Sequence, residues 1–191
     1  EQGSGIVAAT SATVPEGLVA RRAWILEDGA GANRFPPRNS TSGDGALRAD
    51  YVAEILQAAL GVANAARAQI RRPLGSAAQV TVAVVDAKGA LLGLARTPDA
   101  PVFGTDVSVQ KARTAALFSR PNASAQLRAV LATSVAGIAI PAAAPRLQAA
   151  ETRFGKDVFA GTAFSARAIG NLHRPNFPDG IDGRGPGPLS N

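Results

Sequence analysis

Between Gln79 and Phe118 the chain reads QVTVAVVDAKGALLGLARTPDAPVFGTDVSVQKARTAALF, and its hydrophobic period changes from two to that of a helix. Val80, Val82 and Val84 alternate with Thr81, Ala83 and Val85, so both faces of an extended chain are mostly apolar and a central strand is expected. Asp86-Ala87-Lys88-Gly89 supplies the turn, since Asp bonds backbone N–H groups two residues on and Gly takes positive φ. Ala90 to Arg96 follows as the return strand of an antiparallel hairpin. Pro98 and Pro101 have no N–H to offer and stop the ladder. Thr105 or Asp106 is placed to cap a helix over Val107 to Phe118, which Arg120-Pro121 ends.

Helical spacing recurs upstream. Tyr51, Ile55, Ala59, Val62, Ala66 and Ile70 form one stripe, widened by Leu56 and Ala63, and predict a helix from Asp50 to Ile70 with that stripe on the sheet. Residues 27–45, rich in Gly, Pro, Ser and Asn, read as a linker. Downstream, Asn122 is placed to cap a short helix through Leu131, and Arg146 to Phe154 reads as another, closed by Gly155. Ala163 to Leu172 is the candidate third strand, anchored by Phe164 and Ile169. From Arg174 onward, four prolines and four glycines in eighteen residues exclude regular structure.

These elements predict an α/β (α+β) fold: a mainly antiparallel sheet covered by the Asp50 to Ile70 and Val107 to Phe118 helices. The expected organisation is an N-terminal extension or linker over 1–45, a domain over 46–172 and a Pro/Gly-rich tail over 173–191. The longest apolar run, Val135 to Ala144, is too short to cross a bilayer and is cut by Pro141, so no membrane span is expected.

Composition narrows the chemistry. Cysteine is absent, which removes disulfides, thiolate nucleophiles and thiolate metal sites together. Methionine is absent too, so a His/Met-ligated haem is excluded. No P-loop, dinucleotide fingerprint or Gly-x-Ser-x-Gly elbow occurs. The net charge of +6 comes mostly from arginine, a residue suited to bidentate recognition of carboxylates or phosphates, and is equally the mark of a solvated basic surface. The basic residues are scattered without interleaved aromatics, which argues against a nucleic-acid partner.

Two constellations remain. The sole histidine, His173, is either an axial metal ligand or lone acid/base, or a loop residue making a hydrogen bond. Asp86, Asp99 and Asp106 flank the hairpin and the following helix. Asp99 and Asp106 are expected near Lys111 and Arg113, either as ion pairs or as a polar pocket where Lys111 or Arg96 meets an anionic ligand beside the positive helix end.

The run VVDAKGALLGLARTPDAP, followed by QKARTAALF, resembles the GlcG/HbpS family of haem-binding proteins, which is similar to the C-terminal domain of PduO-type proteins. The preceding helix, roughly Asp50 to Ile70, and the link IRRPLGSAAQV resemble the same family, and the stretch NLHRPNFPDGIDGRGPGPLS resembles a signature of its long, exported members. The family's closing Gly-rich hairpin does not occur before Asn191, from which an incomplete domain is expected. Residues 1–38 are expected to be the tail of a preceding copy.

The resemblance implies a profilin-like arrangement and a secreted or periplasmic location. It also implies non-covalent binding of haem or a related anionic planar ligand, and association as a homo-oligomer or with another chain. Asp86, Gly89, Arg96, Asp99 and Lys111 match the family pattern. The expected ligand-binding residues are Arg96, Asp99, Lys111 and His173, with His173 as the expected metal contact; Tyr51 or an oxygen ligand stays open as an alternative. Two other readings stand beside this one. The first is an interaction protein completed by another chain with no small-molecule ligand; the second is an enzyme acting on haem or a small acid.

Overall fold

A computed structural model describes residues 5–43, 45, 47–68, 72–135 and 137–159. In chain order the elements are β1 (Ile6–Ala8), α1 (Glu16–Ala20), β2 (Trp24–Leu26), α2 (Ala49–Ala65), β3 (Thr81–Val85), β4 (Leu91–Arg96) and α3 (Gly104–Phe118). After them come α4 (Ala123–Arg128), β5 (Thr133–Val135), β6 (Ile138–Ile140), α5 (Ala144–Phe154) and a 3-10 turn, Lys156–Phe159. The chain divides into two compact units, 1–113 and 114–191.

The first unit is built on a four-stranded antiparallel sheet in the order β1-β2-β4-β3, with helices packed against it, so the α/β prediction holds. The hairpin forms where expected. Asp86 N–H donates to Ala90 O at 3.0 Å, Gly89 N–H donates to Asp86 O at 2.9 Å, and Gly89 has φ 81°. β3 is not central, however: among the described residues it is an edge strand, and β4 lies inside. Its two apolar faces reflect cover from above and below, which sequence alternation reports, and not its neighbours within the sheet.

β4 is interior because the N-terminal segment pairs with it. Trp24 is the register partner of Arg96, while Phe35 O accepts from Leu94 N–H at 3.2 Å and Arg38 N–H donates to Leu92 O at 2.8 Å. The stretch that reads as a linker therefore runs alongside β4 and satisfies its backbone. Proline and glycine signal irregular chain, and irregular chain also serves as a sheet partner wherever its free N–H groups fall in register.

α2 ends at Ala65, with Ala66 extended, short of the expected Ile70, which lies outside the described residues. Its buried face is Val52, Leu56, Leu60 and Ala63, whereas Tyr51 and Val62 are 51% and 71% exposed. The packing stripe is thus one position round from the predicted one. Both stripes are apolar, but the buried one carries the leucines and meets Gly93, where a Cβ would lie 3.1 Å from both Val52 Cγ1 and Leu56 Cδ1. Val52, Leu56 and Leu60 join Val14, Leu18, Ala23, Ile25 and Leu92 in one core. Each fully buried Leu or Ile contributes roughly 1.5–3 kcal/mol.

α3 starts at Gly104, earlier than expected, and meets the hairpin through Thr105 and Arg113: Thr105 Oγ1 accepts from Arg96, and Arg113 Nε donates to Gly89 O at 2.9 Å. In the second unit Ala123, Leu147, Ala150 and Phe159 form a small core with Phe118 and Leu127, and the Phe118 and Phe159 rings lie 5.3 Å apart. α4 and α5 occupy the predicted segments; α4 stops at Arg128, and Gly155 closes α5 with φ 98°. The apolar run that begins at Val135 carries β6, which pairs antiparallel with β5. No helix among the described residues is long and apolar enough to cross a membrane. The predicted strand Ala163 to Leu172 and the tail from His173 onward lie outside the described residues.

Candidate functional site

Where β4 ends, Thr97 halts the ladder in an orderly way. Its N–H donates to Val80 O at 3.0 Å, and its hydroxyl accepts from Val80 N–H at 2.9 Å. The chain then turns through Pro98 and Asp99, which takes the left-handed conformation at φ 57°, before entering α3. Aspartate tolerates that region better than most residues because its short side chain bonds locally.

This turn, the Arg96 end of β4 and the N-terminal strands enclose a cleft of about 420 Å3. Arg96, Thr97, Asp99 and Val102 line it together with Ile6 and Trp24. Arg96 is only 2% exposed. Its Nη1 donates to Thr105 Oγ1 at 2.5 Å and its Nη2 to Ala100 O, so the guanidinium ties the strand end to the start of α3. That places a fixed positive charge beside the positive end of a helix dipole, a combination that favours an anion.

Of the predicted site residues, the structure therefore brings Arg96 and Asp99 together. Lys111 is not among the residues lining the cleft. It is exposed on α3, seven residues beyond Gly104 and hence about 10 Å along the helix. The expected approach of Asp106 and Arg113 to their charged neighbours gives way to local bonding: Asp106 accepts from Gln110 Nε2 at 2.6 Å, and Arg113 binds Gly89 O. His173 lies outside the described residues. Tyr51 borders a separate shallow pocket with Arg48, Asp50 and Glu54.

Asp86 sits at the far end of the hairpin from Arg96 and serves the fold. It is 1% exposed, and its carboxylate accepts from Lys88 N–H and Ala90 N–H, each at 2.9 Å. It also accepts from the N–H and hydroxyl of Thr41, at 2.9 and 2.6 Å. Burial pushes its pKa up, but the Thr41 hydroxyl and the backbone N–H groups of Thr41, Ala90 and Lys88 outweigh it and bring the group down to about 2.

Sequence reasoning missed Ile6 and Trp24, both in the segment set aside as an extension. The usable signal was the lone tryptophan followed by isoleucine, two strand-forming residues within Ala-Trp-Ile-Leu.

Residues 55–163 match the family described as haem degrading protein HbpS-like. The match covers more than half of the chain, which belongs to this family, as its hairpin motif had implied. No curated protein matches the chain, and no solved structure does.

A haem presents two things to a protein: a flat apolar ring bearing carboxylates, and an iron. The cleft suits the first, through Arg96 with Trp24 and Val102. For the iron, the residues lining the cleft include no histidine, methionine, cysteine or tyrosine, the side chains that ordinarily ligate it. Among the described residues there is also no group of three or more His, Cys, Asp or Glu side chains placed to hold a metal.

Proposed function

We propose that this protein binds haem or a related flat, anionic ligand without a covalent bond, in the cleft at the Arg96 end of the sheet. The observation that carries the reading is the buried Arg96 guanidinium lining a cleft that Trp24 and Val102 also line, in a chain of a haem-related family. Arg96 meets a carboxylate of the ligand, with the start of α3 adding favourable potential. The apolar ring rests against Trp24 and Val102, which exclude water from the contact. Asp99, at the rim, disfavours a second carboxylate on its side and thereby orients the ligand.

Recognition through the rim makes the iron dispensable for binding. Absorbance titrations of the purified chain with hemin and with metal-free protoporphyrin IX test this: both give saturable, shifted Soret bands at micromolar protein. A flat response to both removes the proposal. From the resemblance alone, we further propose that the protein acts outside the cytoplasm and self-associates, which mass photometry of the purified chain checks.

A further inference from the structure

The residues that match the family begin at residue 55, yet two of the cleft's lining residues, Ile6 and Trp24, come from before that point. We propose that Trp24 is the residue that makes this cleft select flat ring systems, so that the site is a joint product of the N-terminal strand pair and the family-matched hairpin. This rests on the reading of the cleft as a site for a flat anionic ligand.

The placement follows from strand geometry. Successive residues of a strand point to opposite faces, and Ile25 is fully buried in the core against α2, so Trp24 points to the other face of the sheet. Directly opposed residues on neighbouring antiparallel strands share a face with their Cβ atoms about 5 Å apart, and Trp24 is opposed to Arg96. The indole and the guanidinium therefore project side by side, and both residues line the cleft.

The wall is held in place. Ile6 and Leu26, Val7 and Ile25, and Ala8 and Trp24 pair across β1 and β2, and Ala9 N–H donates to Ala23 O at 2.9 Å. Farther along, Phe35 and Arg38 bond β4, and Thr41 bonds Asp86. A side chain carried on a backbone held in this way starts from a fixed position when a ligand stacks on it, which helps it discriminate shape. An open-chain carboxylic acid gains only the Arg96 contact, whereas a porphyrin gains the ring face as well.

Because Trp24 is the only tryptophan, one chemistry reads it directly. The unaltered full chain, alone or saturated with hemin, is treated with a tryptophan-selective benzyl bromide and its intact mass is measured. Bound hemin is expected to protect Trp24; full labelling of a hemin-saturated chain overturns the proposal. In parallel, W24F is expected to keep most of the affinity for hemin and for protoporphyrin IX, and W24L to lose about tenfold for both. W24L binding as tightly as the unaltered chain also overturns it, while leaving the cleft's function standing. No uptake of either porphyrin by the unaltered chain removes the reading of the cleft itself, and this proposal with it. The labelling arm needs no variant and decides the matter even if W24L does not fold.

Discussion

Trp24 and Arg96 are register partners where β2 meets β4, one from the N-terminal segment and the other from the family-matched hairpin. That single rung brings a ring and a buried cation into the lining of one cleft. It ties these two lining residues to each other through the sheet, while Arg96 is also paired with Thr81 of β3 and bonded to Thr105 and Ala100.

Arg96 is the first test of this coupling. Its guanidinium donates to Thr105 Oγ1 and Ala100 O from a buried position, a fork that lysine cannot reproduce. R96K is expected to lower stability in urea by about 1–3 kcal/mol and R96M by a similar amount or more, because the part-buried Thr105 hydroxyl and the buried Ala100 carbonyl lose their guanidinium donors. Both variants are expected to lose most porphyrin uptake in an absorbance titration. R96M folding and binding like the unaltered chain contradicts the assignment.

Asp86 predicts the acid response of the fold. Its carboxyl is held at about 2 in the folded chain against an ordinary value of 3.8. A group depressed on folding contributes stability that is fully present above its unfolded pKa and is lost as pH falls through the folded one. Asp86 therefore destabilises the protein progressively between about pH 4 and pH 2. D86N, whose amide meets four donors with one acceptor oxygen, is expected to cost about 2–3 kcal/mol at neutral pH and to flatten this part of the pH profile. Urea midpoints measured across that range check both statements.

T41V removes one of the four bonds to Asp86 and leaves the backbone N–H in place. A cost of about 1–2 kcal/mol is expected, strongly reduced in a D86N background. Additive losses in the double-mutant cycle contradict the coupling of Thr41 to Asp86.

Gly93 tests the seating of α2 on the sheet. A Cβ there already lies 3.1 Å from Val52 and Leu56 side chains, so the branched chain of G93V forces α2 outward. A loss of about 1–3 kcal/mol is expected from urea unfolding, with far-ultraviolet circular dichroism retained.

What the sequence disclosed and what it withheld have physical causes. The hairpin was legible because Asp86 and Gly89 are turn residues with local partners, and α3 and α5 because helical spacing and end signals are local too. The pairing of Trp24 with Arg96, and of Phe35 and Arg38 with β4, joins positions far apart along the chain through backbone groups that carry no residue signature. The same blindness put β3 at the centre of the sheet. For α2, two adjacent apolar stripes competed, and the missing side chain of Gly93 on another element decided between them. Among the residues lining the cleft, Arg96 and Asp99 were singled out from local pattern, whereas Trp24 was not, since its place there depends on what lies opposite.

Hydrogen–deuterium exchange of the full chain with and without saturating hemin tests the central claim most directly, because it reports where a ligand sits. Slower exchange is expected at residues 23–26 and 96–105, two segments that contribute to the lining of the cleft. Binding that leaves both segments unchanged, with protection confined elsewhere in the chain, contradicts it.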